Sequence, residues 1–248
     1  MFSNKYTLIY SSVMVIAVAV LLALAANLLK PAQDNNIRIE KMQQILKSAN
    51  VKVLPDKAIS AYNKYIISEL TINKDGEILS EFTGGKQIKG NIRPFDIDLK
   101  LELKKIENKD GKKEEPFLPI FIFKNDKNDT LTIFPLYGKG LWGPIWGYIS
   151  IRSDKNTVAG VTFGHKGETP GLGAEISEDF YQTQFFDKNI FDESKKFVSI
   201  SVVKGGVKNS PTNPIHGVDA ISGGTITSNG LNDMLKDCLK NYETYLKK

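Results

Sequence analysis

A ten-residue segment near the C-terminus, residues 219–228, combines small side chains with hydroxyl groups directly before an apolar-periodic segment that predicts the last helix. Its two consecutive glycines leave backbone N–H groups accessible, and Thr225 adds a hydroxyl beside them. The positive end of the following helix favours a phosphate group there. The same pattern suits an ordinary helix cap, with Thr227 or Ser228 at the N-cap. The residues alone therefore permit a phosphate site or a structural cap.

A second glycine-bearing segment, residues 165–173, reads His-Lys-Gly-Glu-Thr-Pro-Gly-Leu-Gly. Pro170 fixes φ and Gly171 permits the positive φ of a type II turn, so a tight loop is expected. The side chains that this loop would present are those of Glu168, Thr169 and an exposed Leu172.

A third segment, residues 135–148, packs two Trp and two Tyr among four glycines. Such a stretch can press flat aromatic or backbone surfaces onto a planar ligand. The bland alternative is an aromatic-rich turn that leads into a strand.

The residue content argues against several common sites. Neither G-x-x-x-x-G-K-[ST] nor G-x-G-x-x-G occurs, so no P-loop and no dinucleotide fingerprint is present. Two histidines and one cysteine, with no C-x-x-C pair, do not predict a zinc site. Ser222, Asp219 and His216 miss the G-x-S-x-G elbow of a serine hydrolase. A net charge of +5 is small for 248 residues and indicates no nucleic-acid partner.

The spacing of apolar residues predicts a single α+β domain. Helices are predicted over 36–46, with Asp34 or Asn35 as N-cap, and over 57–65. Strands are predicted at 97–103, 120–123, 130–134, 148–151, 158–163 and 197–203, and a hairpin turn at residues 74–76 joins 70–72 to 78–79. The charged segment 104–115 is expected to be a solvated hairpin tip. The apolar face of the last helix contains Leu231, Met234, Leu235, Cys238, Leu239, Tyr242 and Leu246, with Cys238 as a small buried hydrophobe.

The N-terminus holds 24 uncharged residues from Tyr6 to Leu29, enough for a helix to cross a hydrocarbon layer of roughly 30 Å. Residues 23–25 also fit the A-x-A pattern of a cleaved signal peptide, but the apolar run is longer than a usual signal core and favours an uncleaved anchor. Lys30-Pro31 predicts the end of this helix. The predicted organisation is thus a tail and membrane helix over 1–30 and a domain over 31–248. Flanking charges do not settle on which side of the membrane the domain lies.

Four features, taken in order, resemble the C subunit of the sodium-translocating NADH:quinone reductase. They are the single N-terminal membrane helix, G-K-G-L-W at 138–142, E-T-P-G-L-G at 168–173, and D-x-x-S-G-x-T at 219–225 before a C-terminal helix. The resemblance covers essentially the whole chain. In that family, and in the related G subunit of the Rnf electron-transport complex, FMN is attached through its phosphate to the last threonine of an S/T-G-A-T motif. The resemblance therefore implies FMN on Thr225, with Gly224 standing where the family usually has alanine.

The resemblance also implies roles for neighbouring residues. Strand alternation would place the hydroxyl of Thr227 on the same side as that of Thr225, so Thr227 is a competing acceptor that only the resemblance sets aside. Lys204 is either a group that stabilises the reduced flavin or a solvated loop lysine. The recognition or phosphate-side residues would be Asp219, Ser222, Gly223 and Gly224. The flavin contacts would be Glu168, Thr169, Leu172, Leu141 and Trp142.

The implied function is that of a flavin station in a membrane complex that passes electrons from NADH to quinone and exports sodium. The implied partners are the other subunits, a flavin transferase for maturation, and membrane lipid, with the domain on the outer side of the cell inner membrane. The chain has no NADH fingerprint and no charge inside its apolar run, so it should not be active alone. An Rnf-type G subunit and a membrane-anchored binding module without redox function are the alternatives.

Overall fold

The computed structural model describes residues 3–107 and 115–248, and the chain divides into two compact units, Met1–Met42 and Gln43–Lys248. The predicted α+β class is confirmed, since a long apolar helix is followed by a domain of mixed sheet and helices. The predicted boundary after residue 30 stays a prediction about where the membrane segment ends.

The first helix, α1 (Asn4–Ser48), continues through Pro31, where the sequence predicts a stop. Proline lacks the N–H that would bond to the carbonyl of residue 27, but the flanking stretches are rich in strong helix formers, so one missing hydrogen bond does not end the helix. The predicted helix over 36–46 is therefore the C-terminal part of α1, and neither Asp34 nor Asn35 caps it. The 45-residue helix is long and apolar enough to cross a membrane.

The second unit is built on a seven-stranded sheet in which every neighbouring pair is antiparallel. Its seven strands are β1 (Ile66–Ile72), β2 (Ile78–Thr83), β3 (Lys86–Lys89), β4 (Leu118–Lys124), β5 (Thr130–Lys139), β6 (Pro144–Arg152) and β7 (Val158–His165). Their spatial order is β3-β2-β1-β4-β5-β6-β7. The four predicted strands that correspond to β4–β7, and the predicted hairpin between β1 and β2, are thereby confirmed.

The C-terminal helix α5 (Thr225–Asn241) covers one face of this sheet with the apolar stripe that the sequence predicts. The following residue, Tyr242, is buried, and its hydroxyl donates to the carbonyl of Pro119 at 3.1 Å. Cys238 is buried in the same stripe, and burial raises the pKa of its thiol to about 12. Helix α5 is thus held by the sheet along most of its length. The chain closes with α6 (Glu243–Lys247).

The opposite face of the sheet packs against α2 (Ala58–Tyr65) and the last turn of α1. The hydroxyl of Ser150, on β6, donates to the carbonyl of Ser48 at 2.5 Å. A methyl group at Gly160, on β7, would lie 2.5 Å from that same carbonyl, so only glycine allows this approach. The sheet therefore has a packed layer on each side.

The predicted strand over 97–103 is wrong, because the segment forms helix α3 (Leu99–Glu107). Leu99, Leu103 and Ile106 have helical spacing and pack on the core, whereas Leu101 is exposed. Asp98 accepts a hydrogen bond from the N–H of Lys100 at 2.9 Å, as an N-cap does. The predicted hairpin tip over 104–115 is therefore wrong at its start, and residues 108–114 lie outside the described residues.

The predicted strand over 197–203 is reduced to β8 (Ser201–Val203), which pairs in parallel with β9 (Gly217–Asp219). Ser199 has φ of 62°, a left-handed backbone that interrupts an extended run. A short helix, α4 (Asp179–Gln182), lies between β7 and β8.

Candidate functional site

Three loops meet at the N-terminal end of α5: the β5–β6 turn, the loop that follows β7, and the turn that precedes α5. They enclose a cavity of about 220 Å³. The cavity is lined by Leu141, Glu168, Thr169, Leu172, Gly173, Gly223, Gly224, Thr225, Ile226 and Thr227. The sequence motifs are therefore brought together, although the first and last lining residues, 141 and 227, are 86 positions apart in the chain.

The β5–β6 turn is closed by a hydrogen bond from the N–H of Gly140 to the carbonyl of Gly143 at 2.8 Å. The side chains of Leu141 and Trp142 stand out from the tip of this turn, with exposed fractions of 47% and 68%. The aromatic-rich segment is thus a turn that leads into a strand, which was the alternative to a ligand-binding surface. It also supplies one wall of the cavity.

The loop after β7 contains the expected tight turn. Gly171 has φ of 73°, and the N–H of Leu172 donates to the carbonyl of Thr169 at 3.1 Å. Leu172 is 40% exposed, as the sequence predicts, and it lies over the turn that precedes α5. A methyl group at Gly223 would come within 2.6 Å of the Cδ2 atom of Leu172. Gly223 also has φ of 76°, so both contact and backbone conformation favour glycine there.

Helix α5 begins at Thr225, with Gly224 in the N-cap position. The alternative that places Thr227 or Ser228 at the N-cap is therefore wrong. The hydroxyl of Ser228 accepts a hydrogen bond from the N–H of Ile221 at 3.1 Å instead. Within the described part of the chain, no side chain caps the first turn of α5. Its N–H groups, which have no carbonyl partner inside the helix, therefore lie at the cavity and suit an anion.

Glu168 is a buried carboxylate that joins the three loops. Its Oε1 atom accepts a hydrogen bond from the N–H of Trp142 at 2.9 Å, and its Oε2 atom accepts one from the hydroxyl of Thr227 at 2.5 Å. Its own N–H donates to Nδ1 of His165 at 3.1 Å. Only 4% of Glu168 is exposed, so these donors replace the water that a free carboxylate would bind.

The two candidate threonines differ in environment. Residues two apart on a helix are separated by about 200° around its axis, so Thr225 and Thr227 point to different sides and the expected strand-like alternation is wrong. Thr227 is 2% exposed and bonded to Glu168, whereas Thr225 is half-buried at the cavity wall.

A family model described as "FMN-binding domain" matches residues 140–240, the range that contains all three loops. The chain is 32% identical to the C subunit of the Na(+)-translocating NADH-quinone reductase of Pasteurella multocida over 95% of this chain and 91% of that protein. It is 30% identical to the corresponding protein of Vibrio parahaemolyticus over 86% of this chain and 82% of the relative. The crystal structure of the C subunit from Parabacteroides distasonis is 38% identical, with a TM-score of 0.73, over 89% of this chain and 98% of that one. The chain belongs to this C-subunit family.

In this member of the C-subunit family, seven of the ten predicted site residues line the cavity. They are Thr225, Gly223, Gly224, Glu168, Thr169, Leu172 and Leu141. Three lining residues lie outside that set: Thr227, which the sequence analysis names as a competing acceptor, and Gly173 and Ile226, which were not predicted. Ile226 is 56% exposed, and an apolar residue between two threonines at a helix start was the available signal.

Three predicted site residues, and the candidate Lys204, do not line the cavity of this family member. Asp219 accepts a hydrogen bond from the N–H of Val207 at 2.7 Å and thereby holds a neighbouring loop. Ser222 is exposed on the turn, and Trp142 reaches the site through its backbone N–H while its ring is exposed. Lys204 is exposed after β8. The roles assigned to these four residues stay predictions.

Proposed function

We propose that this chain carries FMN, joined by a phosphoester to Thr225, as an electron-transfer station of a Na+-translocating NADH:quinone oxidoreductase. One observation carries the proposal: Thr225 is the first residue of α5 and lines a cavity to which the uncapped N-terminus of that helix also points. A phosphate on Thr225 would lie beside free N–H groups and the positive end of the helix dipole.

The choice of Thr225 over Thr227 is supported by burial and bonding. The hydroxyl of Thr227 is bonded to Glu168 and the residue is 2% exposed, so its reaction with an incoming phosphorus atom would require that hydrogen bond to break. Attachment would join Thr225 Oγ1 to the phosphorus of an activated flavin nucleotide and would break its phosphoanhydride bond, with a nucleoside monophosphate as the leaving group. The hydroxyl proton would pass to a base of the flavin transferase.

The size of the cavity indicates that only part of the cofactor would lie inside it. At about 220 Å³ it is smaller than the roughly 300–1,000 Å³ of sites that enclose whole ligands. The phosphate end fits within it, and the flavin ring would lie against the exposed apolar side chains at its mouth. Those side chains are Leu141, Trp142, Leu172 and Ile226.

In this proposal the bound flavin supplies the redox chemistry, and the chain supplies attachment, orientation and anchoring. Helix α1, which is long and apolar enough to cross a membrane, would anchor the chain in lipid of the cell inner membrane. The proposal puts residues 31–248 on the outer, periplasmic side. NADH oxidation and sodium transport belong to the partner subunits, so the chain alone is inactive. The relatives named above favour this complex over an Rnf-type complex.

The test is the intact mass of the full chain after co-expression with a flavin transferase. The wild type is expected to gain one FMN with loss of one water, Thr225→Ala to gain none, and Thr130→Ala, an exposed threonine at the start of β5, to gain the full adduct. A wild type without adduct, or an adduct on Thr225→Ala, would contradict the proposal. Co-purification with an NADH dehydrogenase subunit, as opposed to a ferredoxin-linked one, would separate the two complexes.

A further inference from the structure

The Glu168–Thr227 pair links the loop after β7 to the first turn of α5. Thr227 Oγ1 donates to Glu168 Oε2 at 2.5 Å, and the two residues are 4% and 2% exposed. A hydroxyl bonded to a buried carboxylate has one strongly preferred direction, because the alternative leaves part of the charge without a donor.

Two glycines make the surroundings of this pair too tight for another arrangement. A methyl group at Gly173 would lie 2.5 Å from Glu168 Oε2 and 2.4 Å from Thr227 Oγ1. A methyl group at Gly140 would lie 2.6 Å from Glu168 Oε1. Backbone therefore approaches both carboxylate oxygens closely, and the carboxylate position is determined by its packing.

The pair also determines which way the first turn of α5 faces. Because Thr225 and Thr227 lie about 200° apart around the helix axis, holding Thr227 toward Glu168 directs Thr225 away from that carboxylate. Both threonines contribute atoms to the cavity wall, but only Thr225 is more than marginally exposed.

We propose that Thr227 and Glu168 are positioning residues that make Thr225 the single flavin acceptor: their hydrogen bond withdraws the Thr227 hydroxyl and presents that of Thr225. This inference rests on the proposed function. It assigns Glu168 a role in attachment that is separate from contact with the flavin ring.

The test compares FMN incorporation in the full chain, co-expressed with a flavin transferase, for wild type, Thr227→Val, Thr227→Ser and Glu168→Gln. Initial rates are normalised to the folded fraction, measured by circular dichroism, and peptide mass mapping identifies the modified threonine. Valine keeps the shape of threonine without its hydroxyl, and serine restores the hydroxyl. We expect Thr227→Val and Glu168→Gln to lower the normalised rate about tenfold, and Thr227→Ser to return it to within about twofold of wild type.

Each result has a distinct meaning. If Thr227→Val folds and accepts FMN at the wild-type rate, or if serine does not rescue, the inference is wrong. If Glu168→Gln keeps the wild-type rate, the transferase reads the Thr227 hydroxyl directly and the positioning role is again wrong. Should Thr227→Val fail to fold, Glu168→Gln alone decides, and a rate that falls only with the folded fraction shows a purely structural pair. A wild type that gains no FMN contradicts the proposed function instead.

Discussion

The carbonyl oxygen of Lys139, at the end of β5, lies so close to Gly230 of α5 that a methyl group at residue 230 would come within 2.1 Å of it. The methyl group would meet backbone atoms of Lys139 and Gly140, which cannot move aside as the end of a flexible side chain could. The N-terminal half of α5 is therefore seated directly on the turn that carries Leu141, and this contact helps to keep two walls of the cavity together.

Gly230→Ala is expected to destabilise the domain although alanine is the better helix former. The gain in helix propensity is about 1 kcal/mol, while pushing α5 off the backbone of β5 costs about 1–3 kcal/mol or more. We expect a lower midpoint in thermal unfolding of the full chain in detergent and slower FMN incorporation per folded molecule. The matched control is Gly167→Ala, because a methyl group there meets nothing within 4 Å. Equal midpoints for the two variants would show that α5 can move without cost.

Gly224→Ala restores the residue that the family usually has, and it is expected to be tolerated. The backbone at Gly224 has φ of −98°, and an added methyl group would meet Ile221 Cγ2 at 3.1 Å and the nitrogen of Gly173 at 3.3 Å, so a small shift suffices. Gly223→Ala is the contrasting variant, because positive φ costs about 1–2 kcal/mol and the methyl group also meets Leu172. Mass-detected flavin incorporation should stay near wild type for the first and fall for the second. The reverse order would refute this interpretation of the turn.

Arg93→Met is expected to cost about 3–5 kcal/mol of unfolding free energy. The side chain of Glu69 is 3% exposed, and besides the Arg93 guanidinium it accepts hydrogen bonds from the Tyr62 hydroxyl at 3.1 Å and the Phe95 N–H at 3.2 Å. Removing Arg93 leaves this buried charge without its counter-ion. Urea unfolding of the full chain in detergent measures the loss.

The control for Arg93→Met is Arg152→Met, whose ion pair with Asp187 is more than half exposed at both partners and should contribute less than about 1 kcal/mol. Both positions lie outside the cavity lining, so FMN incorporation per folded molecule should be unchanged in either variant. Similar costs for the two substitutions would contradict the assignment of Glu69–Arg93 as a buried pair.

The ion pairs of Asp179 are expected to make a small contribution to the free energy of unfolding that is lost in acid. Hydrogen bonds from Lys52 and Lys47 lower the pKa of its carboxyl to about 2. Because the folded-state pKa lies below the unfolded value of about 3.9, the pairs stabilise the fold above that value and are lost as the pH falls through about 2. The side chain is 56% exposed, so the effect should stay below about 1 kcal/mol.

The measurement for Asp179 is the difference in thermal midpoint between wild type and Asp179→Asn at two pH values. We expect wild type to be the more stable at pH 7 and the two to converge near pH 2. Glu193→Gln, at another exposed carboxylate, controls for the change in net charge. A difference that persists or grows in acid would show that the carboxylate acts through something other than its charge.

Local patterns in the sequence were sufficient for much of the fold. The apolar stripe of α5, the tight turn at Gly171 and most strands of the sheet follow from periodicity and turn chemistry, which depend on neighbouring residues. The prediction failed where two local patterns competed. Residues 97–103 alternate like a strand, but Leu99, Leu103 and Ile106 also have helical spacing, and packing against the core selects the helix.

The sequence by itself identified the three segments that meet at the cavity and seven of the residues that line it, because the glycine turns and the apolar-periodic last helix are local features. Only the tertiary structure decided how the two threonines differ. Glu168 and Thr227 are 59 positions apart, and their hydrogen bond exists because α5 packs on the sheet to which β7 belongs. No pattern within either segment predicts that the two residues meet. The direction of the Thr227 hydroxyl, and with it the exposure of Thr225, therefore follows from packing between segments that are remote in sequence.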